Sequence, residues 1–385
     1  AALAAAAALA ACSDDDEGLP AFVVKTVPYA ADPAHGIVVT GSRCVFLADE
    51  ALQGPAGTDL DGDGNADDLV AVAFDMATLE GEPKVLAAAE RATIVQNRAY
   101  IAGYEPGSSV LSLLTFDLTQ ASPPLVKIDE IDPASTQPIV RSSEKLFWVT
   151  AAPTGLPGET GLRFVRPSAP ATPVTVLADD LASAWQPRLL GESGGAVLLA
   201  LDETVEGVAL NADGLADDGT VLGLLNAKPT NPVLANVGLA LADDAAPFAV
   251  EVLGSGSRRV AFLVDEAAEG QSFNDATRPE FGAGWEFGPC AGNDDTDQTD
   301  RVLHWLLLET WLAGTTDPVN TGLVGSTRIL LTGGHLATLA AEADQGPGGC
   351  DWDGDGAADD VVLRWVPAHT SAIVPENADA LQRAV

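Results

Sequence analysis

Basic residues are scarce in this 385-residue sequence: 19 Lys and Arg stand against 56 Asp and Glu, a formal charge of −37. Such a surface repels phosphate, which excludes nucleic acid as a partner. A bare anionic lipid surface is an equally poor one. Histidine is limited to His35, His304, His335 and His369, none paired at metal-ligand spacing. The cysteines are Cys12, Cys44, Cys290 and Cys350, without a Cys-x-x-Cys, so zinc and thioredoxin-type chemistry have no support. There is no G-x-S-x-G elbow and no Gly-rich phosphate loop. After the first dozen residues no apolar run is long enough to span a bilayer as a helix.

What is present is apolar content of 47%, enough for a substantial core, with 38 Gly and 25 Pro to make many turns. The length allows one large repeat domain or two ordinary ones. Residues 1–11 are only Ala and Leu, followed by Cys12, Ser13 and the acids of 14–17. A run of this length suits the apolar part of a signal peptide. Leu9-Ala10-Ala11-Cys12 resembles the bacterial lipoprotein lipobox, which implies lipidation at Cys12 and an acidic tether over 12–19. No initiator Met or basic segment precedes the run, so the chain is expected to begin within the signal. Ser13 resembles the outer-membrane sorting pattern of diderm bacteria. The expected location is the outer membrane, with the lipid as the sole membrane contact.

Apolar β-like runs end repeatedly in an acid followed by Gly: Asp49-Glu50 with Gly54, Asp202-Glu203 with Gly207, Asp265-Glu266 with Gly270, and Glu342 with Gly346. The four Glu positions lie 153, 63 and 76 residues apart. A unit of about 51 residues makes the first gap three units, with two plainer copies around Ala99–Ala102 and Lys145–Val149. The long last gap holds an insertion at about 271–296. Each Glu is followed by an acid-rich loop and another strand-like run. Six units over 36–88, 89–134, 135–180, 181–240, 241–323 and 324–373 result, in one domain over 20–385. Short strands at this period indicate an all-β propeller of six blades. An added blade after 373 would make seven, and a two-sheet sandwich is the competing architecture. Ala21–Val27 is the candidate closing strand. Lining up the repeats places Cys290 and Cys350 at one position of successive units and suggests a bridge between them. Cys44 reads as a small buried residue.

Two loops are nearly identical. Asp59, Asp61, Asp63, Asn65 and Asp67 recur as Asp351, Asp353, Asp355, Ala357 and Asp359, with glycines between the acids. Alternating carboxylates, closed by a backbone carbonyl from Asn65 or Ala357, suit a hard cation of the Ca²⁺ type. No Glu stands at position twelve, as an EF-hand requires. D-x-D-G-D-G-x-x-D before a strand resembles the Ca²⁺ loops of FG-GAP and VCBS propeller repeats. Weaker copies are Asn211, Asp213, Asp217 and Asp218, and Asn293, Asp295, Asp297 and Asp300. Two Ca²⁺ sites are expected, and up to four. Glu50, Glu203, Glu266 and Glu342 either complete a metal sphere or accept backbone hydrogen bonds. The second role is favoured because units with degraded loops keep them.

His304-Trp305 and Arg364-Trp365 fall at one repeat position and read as packing. The expectation is therefore a lipid-anchored, Ca²⁺-stabilised monomer serving as a binding, adhesion or scaffold module for a protein or glycan. The resemblance supplies the adhesion element. A Ca²⁺-dependent hydrolase of phosphoesters or glycans is the alternative, since acid loops of propeller phytases do such chemistry. Those sites also gather Lys and Arg, which are few here.

Overall fold

A computed structural model describes residues 27–377, apart from 78–81, 121–123, 136, 143, 152–155, 157–158, 167, 179–184, 212–214, 217–218, 242–247, 271, 274–297, 326–327, 346–348 and 369–375. The chain is all-β, and its repeating element is the four-stranded antiparallel meander of a propeller blade. Six such blades occur among the described residues.

The first blade comprises β1 (Ile37–Thr40), β2 (Arg43–Asp49), β3 (Leu69–Asp75) and the first half of β4 (Lys84–Val95). The second takes the rest of β4 with β5 (Arg98–Tyr104), β6 (Leu111–Asp117) and β7 (Val126–Glu130). The shared strand changes partner between Ala88, opposite Val70, and Ala89, opposite Gly103. An irregularity between Ala89 and Arg91 accompanies the change, as a bulge re-aims a strand.

The third blade is β8 (Val140–Ser142), β9 (Lys145–Val149), β10 (Glu159–Arg166) and β11 (Ala169–Ala178). The fourth is β12 (Arg188–Ser193), β13 (Ala196–Asp202), β14 (Thr220–Asn226) and β15 (Val233–Ala240). A short parallel contact, Leu177 to Val233, joins them into one eight-stranded sheet. The fifth is β16 (Phe248–Val252), β17 (Arg258–Asp265), β18 (Arg301–Leu307) and β19 (Val319–Val324). The sixth is β20 (Ile329–Thr332), β21 (His335–Ala341), β22 (Val361–Pro367) and β23 (Glu376–Asn377). The chain divides into two compact units, 1–133 with 165–173, and 134–164 with 174–385.

The period-2 alternation of a strand is used here to fill two cores at once. In β13, Val197, Leu199 and Leu201 pack with Phe147, Leu162 and Phe164 of the third blade. The intervening Ala196 and Leu198 pack with Val260, Phe262 and Val264 of the fifth. In β17 the pattern repeats: Ala261 and Leu263 turn instead to Leu336, Ala340 and Val366 of the sixth. In the first compact unit, Leu47 and Ala71 meet Ile101 and Leu114 of the second blade. Cys44, Phe46 and Ala48 face the other way, where Val27 and Tyr29 cover them. Strands buried on both faces read as continuous apolar runs, which is why β9 is LysLeuPheTrpVal and wholly buried. A hairpin alone is marginal in water. Each buried Leu or Val adds about 1.5–3 kcal/mol, so packing between blades supplies most of the cohesion.

Of the proposed closing strand only Val27 lies within the described residues. Cys44 is free and buried, and burial pushes its thiol up to about 11. Cys350 is disulfide-bonded, while Cys12 and Cys290 lie outside the described residues.

Candidate metal centres

Each centre begins at the end of the second strand of a blade. Asp49, Asp202 and Asp265 cap a short turn there, each side chain accepting from a backbone N–H two or three residues on. In the fourth and fifth blades the turn is a single helical one, α1 (Glu203–Glu206) and α2 (Glu266–Glu269). Gly207 and Gly270 close these in the left-handed region at φ 68° and 62°, where glycine is the least strained residue. The cap turns the next residue inward. Glu50, Glu203, Glu266 and Glu342 are all fully buried.

Each of these glutamates clamps the loop that follows it. Glu50 Oε1 accepts from Leu60 N at 2.5 Å and Asp61 N at 3.4 Å. Glu342 Oε1 accepts from Trp352 N at 2.5 Å and Asp353 N at 3.3 Å. Glu203 Oε1 holds Leu210 N and Asn211 N, and Glu266 Oε1 holds Phe273 N. The backbone N–H of each glutamate closes the far end of the loop, donating to Asp68, Gly219, Asp300 or Asp360 at 2.9–3.1 Å. The backbone-accepting role expected for these residues is thus present in all four blades.

The two full loops share the same series of backbone-to-carboxylate hydrogen bonds. Asp59 Oδ1 and Oδ2 accept from Gly62 N and Gly64 N at 2.6 and 3.0 Å; Asp351 accepts from Gly354 N and Gly356 N at 2.7 and 2.9 Å. Asp61 then accepts from Asp63 N, and Asp63 from Asn65 N; Asp353 and Asp355 repeat the series. The paired glycines sit at φ between 80° and 99°, which brings the acid side chains together around the turn.

The result is a pair of oxygen-only clusters. One oxygen each from Glu50, Asp59 and Asp61 lie within 4.8 Å of one another. In the sixth blade the same holds for Glu342, Asp353 and Asp360, and for Asp351, Asp353 and Asp355. Like charges at that distance repel by about 1 kcal/mol per pair in water and about 3.5 kcal/mol at an effective dielectric of about 20. Burial pushes Glu50 and Asp61 above the usual carboxylate range. Backbone donors draw both partly back, and neighbouring carboxylates add to the rise. Asp360 is pushed up by partial desolvation and then by Asp353, Asp355, Asp359 and Glu342. Crowded carboxylate oxygens of this kind form a donor set suited to a hard divalent cation.

No protein-family model matches the chain, and no curated protein matches it. Among solved structures it is similar to a prolyl endopeptidase at 9% identity and a TM-score of 0.39, over 88% of this chain and 39% of that one. The β-propeller domain of the Trilobed protease from Pyrococcus furiosus gives 8% and 0.36, over 88% and 81%. A putative 6-phosphogluconolactonase from Bacteroides uniformis gives 11% and 0.33, over 87% and 80%. The chain spans about two fifths of the prolyl endopeptidase's length. Likeness at this level carries no activity or substrate across to this chain.

The expected ligands are not all placed alike. Asp59, Asp61, Asp351, Asp353 and Asp355 join the clusters, whereas the exposed Asp67 and Asp359 belong to none of them. Asp63 and Asn65 brace the loop, Asn65 Nδ2 donating to Asp63 and Asp68 at 2.8 and 3.2 Å. Ala357 contributes its N–H to Asp355. Asp360, the second acid of the doubled pair, was missed; the Asp-Asp shared by both loops was its signal. Asn211 is buried and donates to Ala268 O of the fifth blade at 3.2 Å, a structural contact. Asp300 is buried and its carbonyl receives Glu266 N. Asp213, Asp217, Asp218, Asn293, Asp295 and Asp297 lie outside the described residues.

The residue three places after each glutamate forms a second device. Gln53 exchanges hydrogen bonds with the backbone of Ala30. Glu206 accepts from Gln186 N at 2.5 Å, and Glu269 from Ala240 N. Gln345 accepts from Val324 N and donates to Gly322 O. Each strap holds backbone lying upstream of its own turn.

His304 packs against Phe262 and Phe273, with ring centroids 6.1 and 4.9 Å away, and bonds Val302 O. Arg259 lies over Trp305 and Arg364 over Trp352. These contacts fit the packing role read from the sequence. Beside the first Asp-rich loop a cavity of about 480 Å³ is lined by Asp61, Asp63, Lys84, Tyr104, Phe116 and Leu125, among others.

Proposed function

We infer that this chain is a calcium-stabilised β-propeller lipoprotein serving as a binding or scaffold module at the bacterial outer membrane. The observation that carries the calcium element is the congruence of two Asp loops, each backed by a buried glutamate. Two loops 292 residues apart in sequence repeat the same hydrogen bonds to within about 0.1 Å. Bound Ca²⁺ would neutralise the crowded carboxylates and fix the connection between the second and third strands of the first and sixth blades.

The binding element rests on the cavity beside the first loop. Its lining combines the carboxylates of Asp61 and Asp63 with Tyr104, Phe116 and Leu125. That combination suits a neutral, hydroxyl-bearing ligand such as a glycan better than an anion. A hydrolase would gather basic and nucleophilic groups at one mouth. Among the described residues of this cavity Lys84 is the sole basic side chain, and its ammonium is bound to Gln120 O. The lipid anchor at Cys12 rests on the Leu-Ala-Ala-Cys resemblance.

The test is thermal melting of the full chain with Ca²⁺, with Mg²⁺ and with EGTA. Ligand that binds only the folded state stabilises it by about 2.7 kcal/mol per site at a hundred times Kd. A rise with Ca²⁺ well beyond that with Mg²⁺ is expected. Identical melting in Ca²⁺ and EGTA at every concentration overturns the reading.

A further inference from the structure

We propose that Glu50, and with it Glu342, is a direct cation ligand, one carboxylate oxygen clamping the loop and the other bonding the ion. The inference rests on the calcium reading above and adds a ligand outside the repeated Asp motif. It would make the cation site continuous with the second strand of the blade.

The first support is an orphan atom. Glu50 and Glu342 are fully buried, and each spends Oε1 on two loop N–H groups. Oε2 of each is buried with no hydrogen-bond partner. A buried carboxylate oxygen without a donor is costly, and such atoms mark sites awaiting an ion or water. The second support is placement. The Glu50 carboxylate lies with those of Asp59 and Asp61, and the Glu342 carboxylate with those of Asp353 and Asp360, each set within 4.8 Å. A cation seated there meets oxygens from both the loop and the strand end.

The third support comes from comparing blades within the chain. At the strap position, where the side chain holds only backbone, Gln and Glu interchange: Gln53, Glu206, Glu269 and Gln345. At the clamp position all four residues are Glu. A role limited to accepting N–H groups would be served by the carbonyl of Gln as well. Glu203 also keeps a partnerless Oε2 in the fourth blade, where the acids of the loop lie outside the described residues.

The two sites differ in one respect. Arg364 interacts electrostatically with Glu342, and Val72, its counterpart in the first blade, offers no charge. Glu50 therefore depends more fully on the ion.

The variants are Glu50→Gln and Glu342→Gln, which keep the clamping oxygen and put an NH₂ in place of Oε2. Calorimetric titration with CaCl₂ and melting in EGTA are read together on the full chain. Each variant should melt in EGTA at or above the wild-type temperature. Each should also lose at least ten-fold in Ca²⁺ affinity at its own site, with Glu50→Gln the larger loss. Wild-type titration with variants that keep full affinity at both sites overturns this proposal and leaves the calcium reading standing. A wild type that takes up no Ca²⁺ overturns both. If Glu50→Gln does not fold, Glu342→Gln decides by the same two readouts.

Discussion

Arg258 is fully buried at the start of β17, and among the described residues its acidic partner is Glu309 of α3 (Leu308–Leu312). Its Nε and Nη2 donate to Glu309 Oε1 at 2.8 and 2.6 Å, and its backbone N donates to Oε2 at 2.7 Å. Glu309→Ala removes three bonds and strands a guanidinium in the protein interior. Breaking a buried pair on one side costs about 3–5 kcal/mol. The Glu309 side chain is 31% exposed, so solvent screening sets the expectation at the low end, about 3 kcal/mol. At about 1–2 °C per kcal/mol for a chain of this length, the melting temperature should fall by about 3–6 °C. Circular-dichroism melts and urea titrations at pH 7 measure it. Replacing both partners with Arg258→Met and Glu309→Leu should recover most of the loss, because no charge is then left unpaired. The pH dependence supplies an internal check. Burial alone would raise Glu309, but the Arg258 backbone N–H and guanidinium outweigh it and hold the carboxyl below its ordinary 4.5. Its contribution is therefore present above about pH 4.5 and is lost as pH falls through the folded value. The gap between wild type and Glu309→Ala should narrow below pH 4. A loss under about 1 kcal/mol, or a double variant no more stable than Glu309→Ala, refutes the reasoning.

Burial raises Glu206 to about 7, against the Gln186 N–H, which lowers it. With the folded value above the unfolded one, its contribution is complete below about pH 4.5 and fades as pH rises to about 7. Glu206→Gln should flatten that fall and stabilise the protein at pH 8 by about 1 kcal/mol once exposure is discounted; a lower melting temperature than wild type at pH 8 would contradict this. Gly349 sits at φ +80°, and an added Cβ would lie 2.8 Å from Ala358 Cβ and 3.0 Å from Glu342 O. Gly349→Ala should cost about 1–3 kcal/mol, while Gly254→Ala, with nothing within 4 Å, should stay within about 0.5 kcal/mol in urea titrations.

The all-β repeat was legible because its signals are local. Acid, turn and glycine recur after each apolar run, and the Asp-Gly alternation of 59–64 and 351–356 dictates a loop wherever it occurs. The clamp by Glu50 was open to two readings in sequence because a carboxylate has two oxygens, either of which can accept backbone N–H groups or bond a cation. Asp360 was passed over for Asp359, since which acid of a doubled pair joins the cluster depends on strand register, here Ala341 opposite Val361. The Arg258–Glu309 pair joins residues 51 positions apart, and nothing in either segment alone announces it. The straps were invisible for the same reason: Gln53 and Gln345 look like ordinary turn residues until Ala30 and Val324 are beside them.

Those straps give the repeat a direction. Every one of them reaches back along the chain, and the side chains that grip belong to the later partner. Glu269 and Gln345 grip the last strand of the blade before their own, so deleting that blade would leave each without its backbone partner. Deleting one from the carboxy-terminal side would leave its predecessor's backbone groups unclaimed at a single edge. During synthesis the fifth and sixth blades would each find the preceding blade's last strand already made, so these two fastenings need nothing downstream.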